Sequence, residues 1–136
     1  LSLLKNNNVK IIHNNTYNLL THSKAALVTS GTATLETALL KIPQLVCYKT
    51  SPISYFIAKR LVKLNYISLV NLILNKEVVK ELIQKNCNVK KITKELKELL
   101  LKKNNSIIKD YESLIKTLGS NKASEKTSQL IIDSIK

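Results

Sequence analysis

Ser30, Gly31, Thr32, Thr34 and Glu36 fall within seven residues, the densest grouping of ligand-binding chemistry in this 136-residue chain. Three hydroxyls can donate to anionic oxygens, and a glycine lets an anion approach the backbone closely. Glu36 lies four residues beyond Thr32, so on a helix the two share a face and the acid sits one turn further in. A carboxylate there can accept two hydrogen bonds from a ribose diol. The chemistry on offer is recognition of a phosphorylated nucleoside. The same residues also read as an ordinary capped helix with a dipole-favoured acid, and Ser-Gly-Thr alone is a weak motif.

The elements around these residues must position them. Ala26 to Val28 is an apolar, β-type run. After Gly31 the spacing turns helical, with Leu35, Ala38, Leu39 and Ile42 on one stripe, Thr32 as the cap and Pro43 as the stop. Strand, tight turn and helix would aim free N–H groups and a positive dipole end into the crevice above a sheet. Gln44 to Tyr48 is a second continuous apolar run, as in a buried parallel strand. Ser51-Pro52 opens a basic amphipathic helix, with Ile53, Phe56, Ile57, Leu61 and Leu64 on one side and Lys59, Arg60 and Lys63 on the other. That basic face is either a solvated surface over the sheet or a contact for anionic lipid headgroups.

Upstream, Val9 to His13 reads as a strand, followed by an Asn14-Asn15-Thr16 turn and a short helix ending near Ser23. Downstream, Tyr66 to Leu69 reads as a strand, with Val70-Asn71-Leu72 opening a loop to Asn75. Asn71 would then stand just past a strand's carboxyl end, where ligand contacts gather. From Glu77 the pattern is helical throughout. Val78, Val79, Leu82 and Ile83 form one stripe, Val89 to Leu100 the next, and Ile107 to Leu118 a third that Gly119 ends. Ser120 to Lys136 makes a last helix with Ala123, Thr127, Leu130, Ile131 and Ile135 inward. The expected fold class is α/β, a partial Rossmann-like parallel sheet covered by helices. Residues 1–76 form the nucleotide-binding part and 77–136 a helical segment packed on it.

Composition narrows the partners. The chain lacks methionine and opens as if midway through an α/β repeat, so a fragment of a longer protein is the expectation. No signal peptide is expected, and the longest apolar run, Ile67 to Leu74, is too short to span a bilayer. A soluble or peripheral cytoplasmic protein is expected. Cys47 and Cys87 have no metal-ligand spacing around them and read as reduced and structural. His13 and His22 have no acid or nucleophile beside them. No metal and no cofactor are expected. The net charge of +13 rests on lysine, with Arg60 the single arginine. Few aromatics accompany it, so nucleic acid is a poorer fit than anionic lipid or a phosphorylated substrate.

Taken in order, Thr29-Ser30-Gly31-Thr32-Ala33-Thr34-Leu35-Glu36, Pro43, Tyr48-Lys49-x-Ser51-Pro52, Ala58-Lys59-Arg60-Leu61-Val62-Lys63 and Tyr66-Ile67-Ser68-Leu69-x-Asn71-Leu72 resemble the C-terminal half of the lipid-A-disaccharide synthase family. The resemblance is strongest from Ala25 to Gln84. It implies a GT-B glycosyltransferase, two Rossmann-like halves with the active site between them. Such an enzyme transfers 2,3-diacylglucosamine from its UDP conjugate to 2,3-diacylglucosamine 1-phosphate, forming a β(1→6) disaccharide and releasing UDP. It needs no metal, because a helix terminus and backbone amides stabilise the leaving diphosphate.

By position, the resemblance implies that Ser30, Gly31 and Thr32 hold the diphosphate, with Thr34 nearby, and that Glu36 holds the ribose. Lys49 stands where the family commonly has arginine, so a bidentate contact is lost. Asn71 matches an asparagine expected to be needed for activity. Val70 replaces the usual proline before it, and Asn75 stands where glycine is common. The family also implies an acceptor site and catalytic base in an N-terminal half, attachment to the inner-membrane surface and no nucleic-acid partner. Its members often pair through C-terminal helices; the stripes after Glu77 would serve a homodimer or packing within one chain. A UDP-N-acetylglucosamine 2-epimerase shares a Ser-Gly-x-x-x-x-Glu turn, but the basic helix and the Ser-Leu-x-Asn block favour the transferase. A non-enzymatic basic module is the third reading.

Overall fold

The structure, a computed structural model, describes residues 9–29, 31–51, 65–101, 104–119 and 123–135. Three strands form one parallel sheet in the order β1-β2-β3: β1 is Ala26–Val28, β2 is Gln44–Tyr48 and β3 is Lys80–Ile83. The helices are α1 (Thr16–Thr21), α2 (Thr32–Leu39), α3 (Leu69–Leu74), α4 (Val89–Leu101), α5 (Asn105–Leu118) and α6 (Ala123–Ile135). This is an α/β fold, part of a Rossmann-like sheet with its helical cover.

Side-chain alternation along the strands assigns the two faces. Val46 packs with Ala38 of α2, Val70 of α3 and Tyr111 and Leu114 of α5 in one buried cluster. Leu45 and Leu82 are equally buried but lie outside that cluster, on the face that α4 covers. α2, α3 and α5 thus form one layer and α4 the other.

Under α2 the buried residues are Thr34, Thr37 and Ala38, whereas Leu39 is half exposed. Small residues therefore face the sheet, in place of part of the expected leucine stripe. Thr37 stays satisfied there by donating its hydroxyl to the Ala33 carbonyl at 2.8 Å. β2 has its expected bounds but begins on a buried glutamine. Gln44 Nε2 donates to the Thr34 carbonyl at 2.9 Å and to the Tyr111 hydroxyl at 3.3 Å, which ties α2, β2 and α5 together.

Four expectations are corrected. Residues 9–13 are exposed and form no strand, because among the described residues no ladder partner pairs with them. Residues Tyr66 to Leu69 are not a strand. Ser68 caps a helix that begins at Leu69 and runs through Asn71, its hydroxyl accepting from the Asn71 amide at 3.3 Å. The chain after Glu77 is not all helical, since Lys80–Ile83 pairs with β2 across Leu45 to Tyr48. The sheet therefore continues past residue 76. Leu130, Ile131 and Ile135 of α6 are exposed rather than inward. Two other expectations hold. Asn75 ends α3 in the left-handed conformation, at φ 49° and ψ 37°, and Gly119 ends α5 at φ 79°.

Candidate functional site

β1 ends at Val28, and after Thr29 the chain turns through Gly31 into α2. Gly31 has φ 112° and ψ −159°, a region that side-chain-bearing residues rarely enter. A Cβ built there would meet nothing within 4 Å, so glycine is required by the backbone and not by crowding. Gly31 itself is the N-cap and Thr32 the first helical residue, so the expected Thr32 cap is displaced by one position. Thr32 and Ala33 are exposed, and among the described residues their N–H groups have no acceptor. Two amides with no acceptor among the described residues, an exposed threonine and the positive end of an eight-residue helix are donors that can serve as a seat for an anion.

The other residues expected here divide. Glu36 is half-buried one turn further along α2, and its carboxylate has no partner among the described residues. Lys49 is exposed immediately after β2. Thr34 is fully buried and points inward. Its hydroxyl donates to the Gly31 carbonyl at 2.8 Å, and its amide reaches the same oxygen at 3.2 Å. Thr34 therefore shapes the turn and offers its hydroxyl to the backbone. Ser30, Lys59, Arg60 and Lys63 lie outside the described residues.

Asn71 is also fully buried, in the first turn of α3. Its Nδ2 donates to the Val79 carbonyl and to Glu81 Oε1, both at 2.8 Å. Its Oδ1 accepts from the Val78 amide at 2.8 Å and the Val79 amide at 3.0 Å. A carboxamide has two donor hydrogens and two acceptor lone pairs, and the fold uses all four. In this arrangement Asn71 presents nothing to a ligand.

Two residues that sequence reasoning passed over organise the surroundings. Glu81 accepts from the Ile67 and Ser68 amides, the Ser68 hydroxyl and Asn71. Gln84 follows β3 at φ 51°, a conformation rare for a non-glycine residue. Its Oε1 accepts from the Thr50 amide at 3.0 Å and pins the segment that carries Lys49. An acid within the apolar run Val78 to Ile83 was the available signal for Glu81.

Both cysteines are free and half-buried. Burial pushes the Cys47 thiol up, and the neighbouring Cys87 adds to this, which suits an inert thiol. Among the described residues no group of three His, Cys, Asp or Glu side chains could hold a metal. No described helix is long and apolar enough to cross a membrane. A cavity of about 220 Å³ lies between Gln44 and α4, at the opposite end of the strands from Gly31. Another, of about 640 Å³, runs along β3 and the start of α4. Neither includes Gly31, Glu36 or Lys49.

Comparison with known proteins agrees with this geometry. A sequence model described as lipid-A-disaccharide synthetase matches residues 2–133. The lipid-A-disaccharide synthase of a Sulfurihydrogenibium species is 40% identical over 132 residues, covering 96% of this chain and 34% of the relative. That of Psychromonas ingrahamii is 43% identical over 115 residues, 85% of this chain and 30% of the relative. That of Aquifex aeolicus is 54% identical over 70 residues, 52% of this chain and 20% of the relative. The chain spans about a third or less of the length of these relatives. With an open glycine turn at the head of α2, a parallel sheet behind it and a match over nearly the whole sequence, the chain belongs to the lipid-A-disaccharide synthetase family.

Proposed function

We propose that this chain forms the donor-nucleotide side of a glycosyltransferase that makes the lipid A disaccharide. The reaction moves 2,3-diacylglucosamine from its UDP conjugate to 2,3-diacylglucosamine 1-phosphate. The acceptor hydroxyl forms a bond to the sugar's anomeric carbon, the bond from that carbon to the UDP oxygen breaks, and UDP departs with the electron pair. The step builds negative charge on the diphosphate, so fixed donors aimed there lower the barrier. The observation that carries the reading is the Gly31 turn, with Thr32 and Ala33 amides that have no acceptor among the described residues, beside an exposed threonine.

On this reading Gly31, Thr32 and Ser30 cradle the diphosphate and Glu36 accepts from the ribose hydroxyls. Lys49 adds a positive charge at the end of β2. The buried Thr34 and Asn71 serve through the backbone they hold. The base that takes the acceptor's proton and the acceptor site belong to the remaining two thirds of such an enzyme. Lys59, Arg60 and Lys63 form its contact with anionic headgroups at the inner membrane, and the exposed apolar side chains of α6 are candidates for a homodimer contact.

Titration calorimetry with UDP tests the site. UDP should bind in preference to ADP or CDP. Glu36→Ala removes a charged hydrogen-bond acceptor and should weaken UDP by about 10–150-fold, the equivalent of roughly 1.5–3 kcal/mol. Equal affinity for the variant would take Glu36 out of the site.

A further inference from the structure

Glu81 carries no role in the reading above, yet its carboxylate is surrounded by four donors. Oε2 accepts from the Ile67 amide at 2.9 Å. Oε1 accepts from the Ser68 amide at 3.0 Å, the Ser68 hydroxyl at 2.8 Å and Asn71 Nδ2 at 2.8 Å. A single side chain on β3 thus fixes the Ile67–Ser68 backbone, the hydroxyl that caps α3 and the orientation of Asn71. Charge-assisted bonds of this kind are stronger than neutral ones.

The sheet register places this assembly beside the anion seat. Val28 pairs with Val46, and Val46 pairs with Glu81. The three residues form one row, and in-register neighbours of a parallel sheet point to the same face. That face is the one where Val46 meets α2 and α3. Val28 is the last residue of β1 before the glycine turn. The Ile67–Ser68 corner therefore stands two strands across from the start of that turn, roughly 10 Å away. It lies on the same face and at the same height along the strands. Lys49 and Thr50 follow three and four residues after Val46, beyond the end of β2.

We propose that Glu81 is a positioning residue of the donor site: it holds the Ile67–Ser68 corner at the sheet end that carries the Gly31 turn. It acts through Ser68 and Asn71 and does not itself meet the ligand. This also accounts for an asparagine whose carboxamide is wholly consumed in the interior. The proposal rests on the donor-site reading.

The test is UDP titration of the 136-residue chain and three variants, each checked for folding by circular dichroism. Glu81→Ala removes the acceptor for all four donors and should weaken UDP by about tenfold or more, as a misplaced supporting segment does. Glu81→Gln keeps Oε1 for Ser68 and Asn71 but sets its amide against the Ile67 N–H, and should fall between the alanine variant and the wild type. Leu114→Ala is destabilising from a buried site under α5 and should bind UDP within about twofold of the wild type once folded. Hydrogen exchange at the Ile67 amide should accelerate in both Glu81 variants. Folded Glu81 variants that bind UDP as the wild type does would overturn the proposal. So would Leu114→Ala losing affinity in step with them, because binding would then follow general stability. If neither Glu81 variant folds, the residue holds the fold and the proposal falls. A wild-type chain that binds no UDP removes the donor-site reading, and this proposal with it.

Discussion

Truncating Asn71 to alanine should unfold this chain more readily. Four hydrogen bonds of 2.8–3.0 Å are lost at a residue with no exposed surface. The Val79 carbonyl retains a second lone pair, and Glu81 retains three other donors. The Val78 amide also donates to the Lys76 carbonyl at 3.0 Å, so the cost falls on the Val79 amide. A buried donor left unpaired costs about 1–3 kcal/mol. A water entering the space left by the carboxamide would bring the value toward the lower end. Against the roughly 5–15 kcal/mol that holds a typical domain, this is a large share. Urea unfolding followed by circular dichroism reads it directly as a lower midpoint at unchanged slope. Amide exchange at Val79 should accelerate in parallel, more than at Val78, which keeps the Lys76 carbonyl. A loss below about 0.5 kcal/mol, the scale of ordinary surface substitutions, would refute the account. The carboxamide would then be free for a ligand, the role that a place just past a strand end suggests.

Gly31→Ala should cost about 1–3 kcal/mol of stability, because the φ of 112° is closed to alanine although the space is open; an unchanged melting temperature would mean that the turn relaxes. Burial pushes the Tyr111 hydroxyl up to about 12. Free in the unfolded chain it titrates near 10, so the folded chain holds the proton more tightly. Its contribution, about 2–3 kcal/mol, is fully present below about pH 10 and is lost as the pH rises toward 12. Tyr111→Phe should flatten that stretch of the stability profile, and a profile matching the wild type would contradict the assignment.

The readable parts were those whose information is local. A β-type run followed by glycine and helical spacing is a short-range pattern, so β1, the turn and α2 stand where they were expected. The same holds for β2 and for the left-handed positions at Asn75 and Gly119, where residue type alone marks the backbone.

Residue types also marked the glycine turn itself, which requires no distant partner. Val78, Val79, Leu82 and Ile83 fit a helix as well as a strand, and the choice was made by pairing with β2, more than thirty residues earlier. Tyr66 to Leu69 look like a strand until the Ser68 cap and the carboxylate of Glu81, thirteen residues beyond Ser68, organise the helix start. The fate of Asn71 belongs to the same class. Its letter promised a ligand contact, but Val78, Val79 and Glu81 reach it first. Whether a polar group serves a ligand or the interior depends on which partners folding brings within about 3 Å of it, and that is a property of packing that no stretch of the chain carries alone.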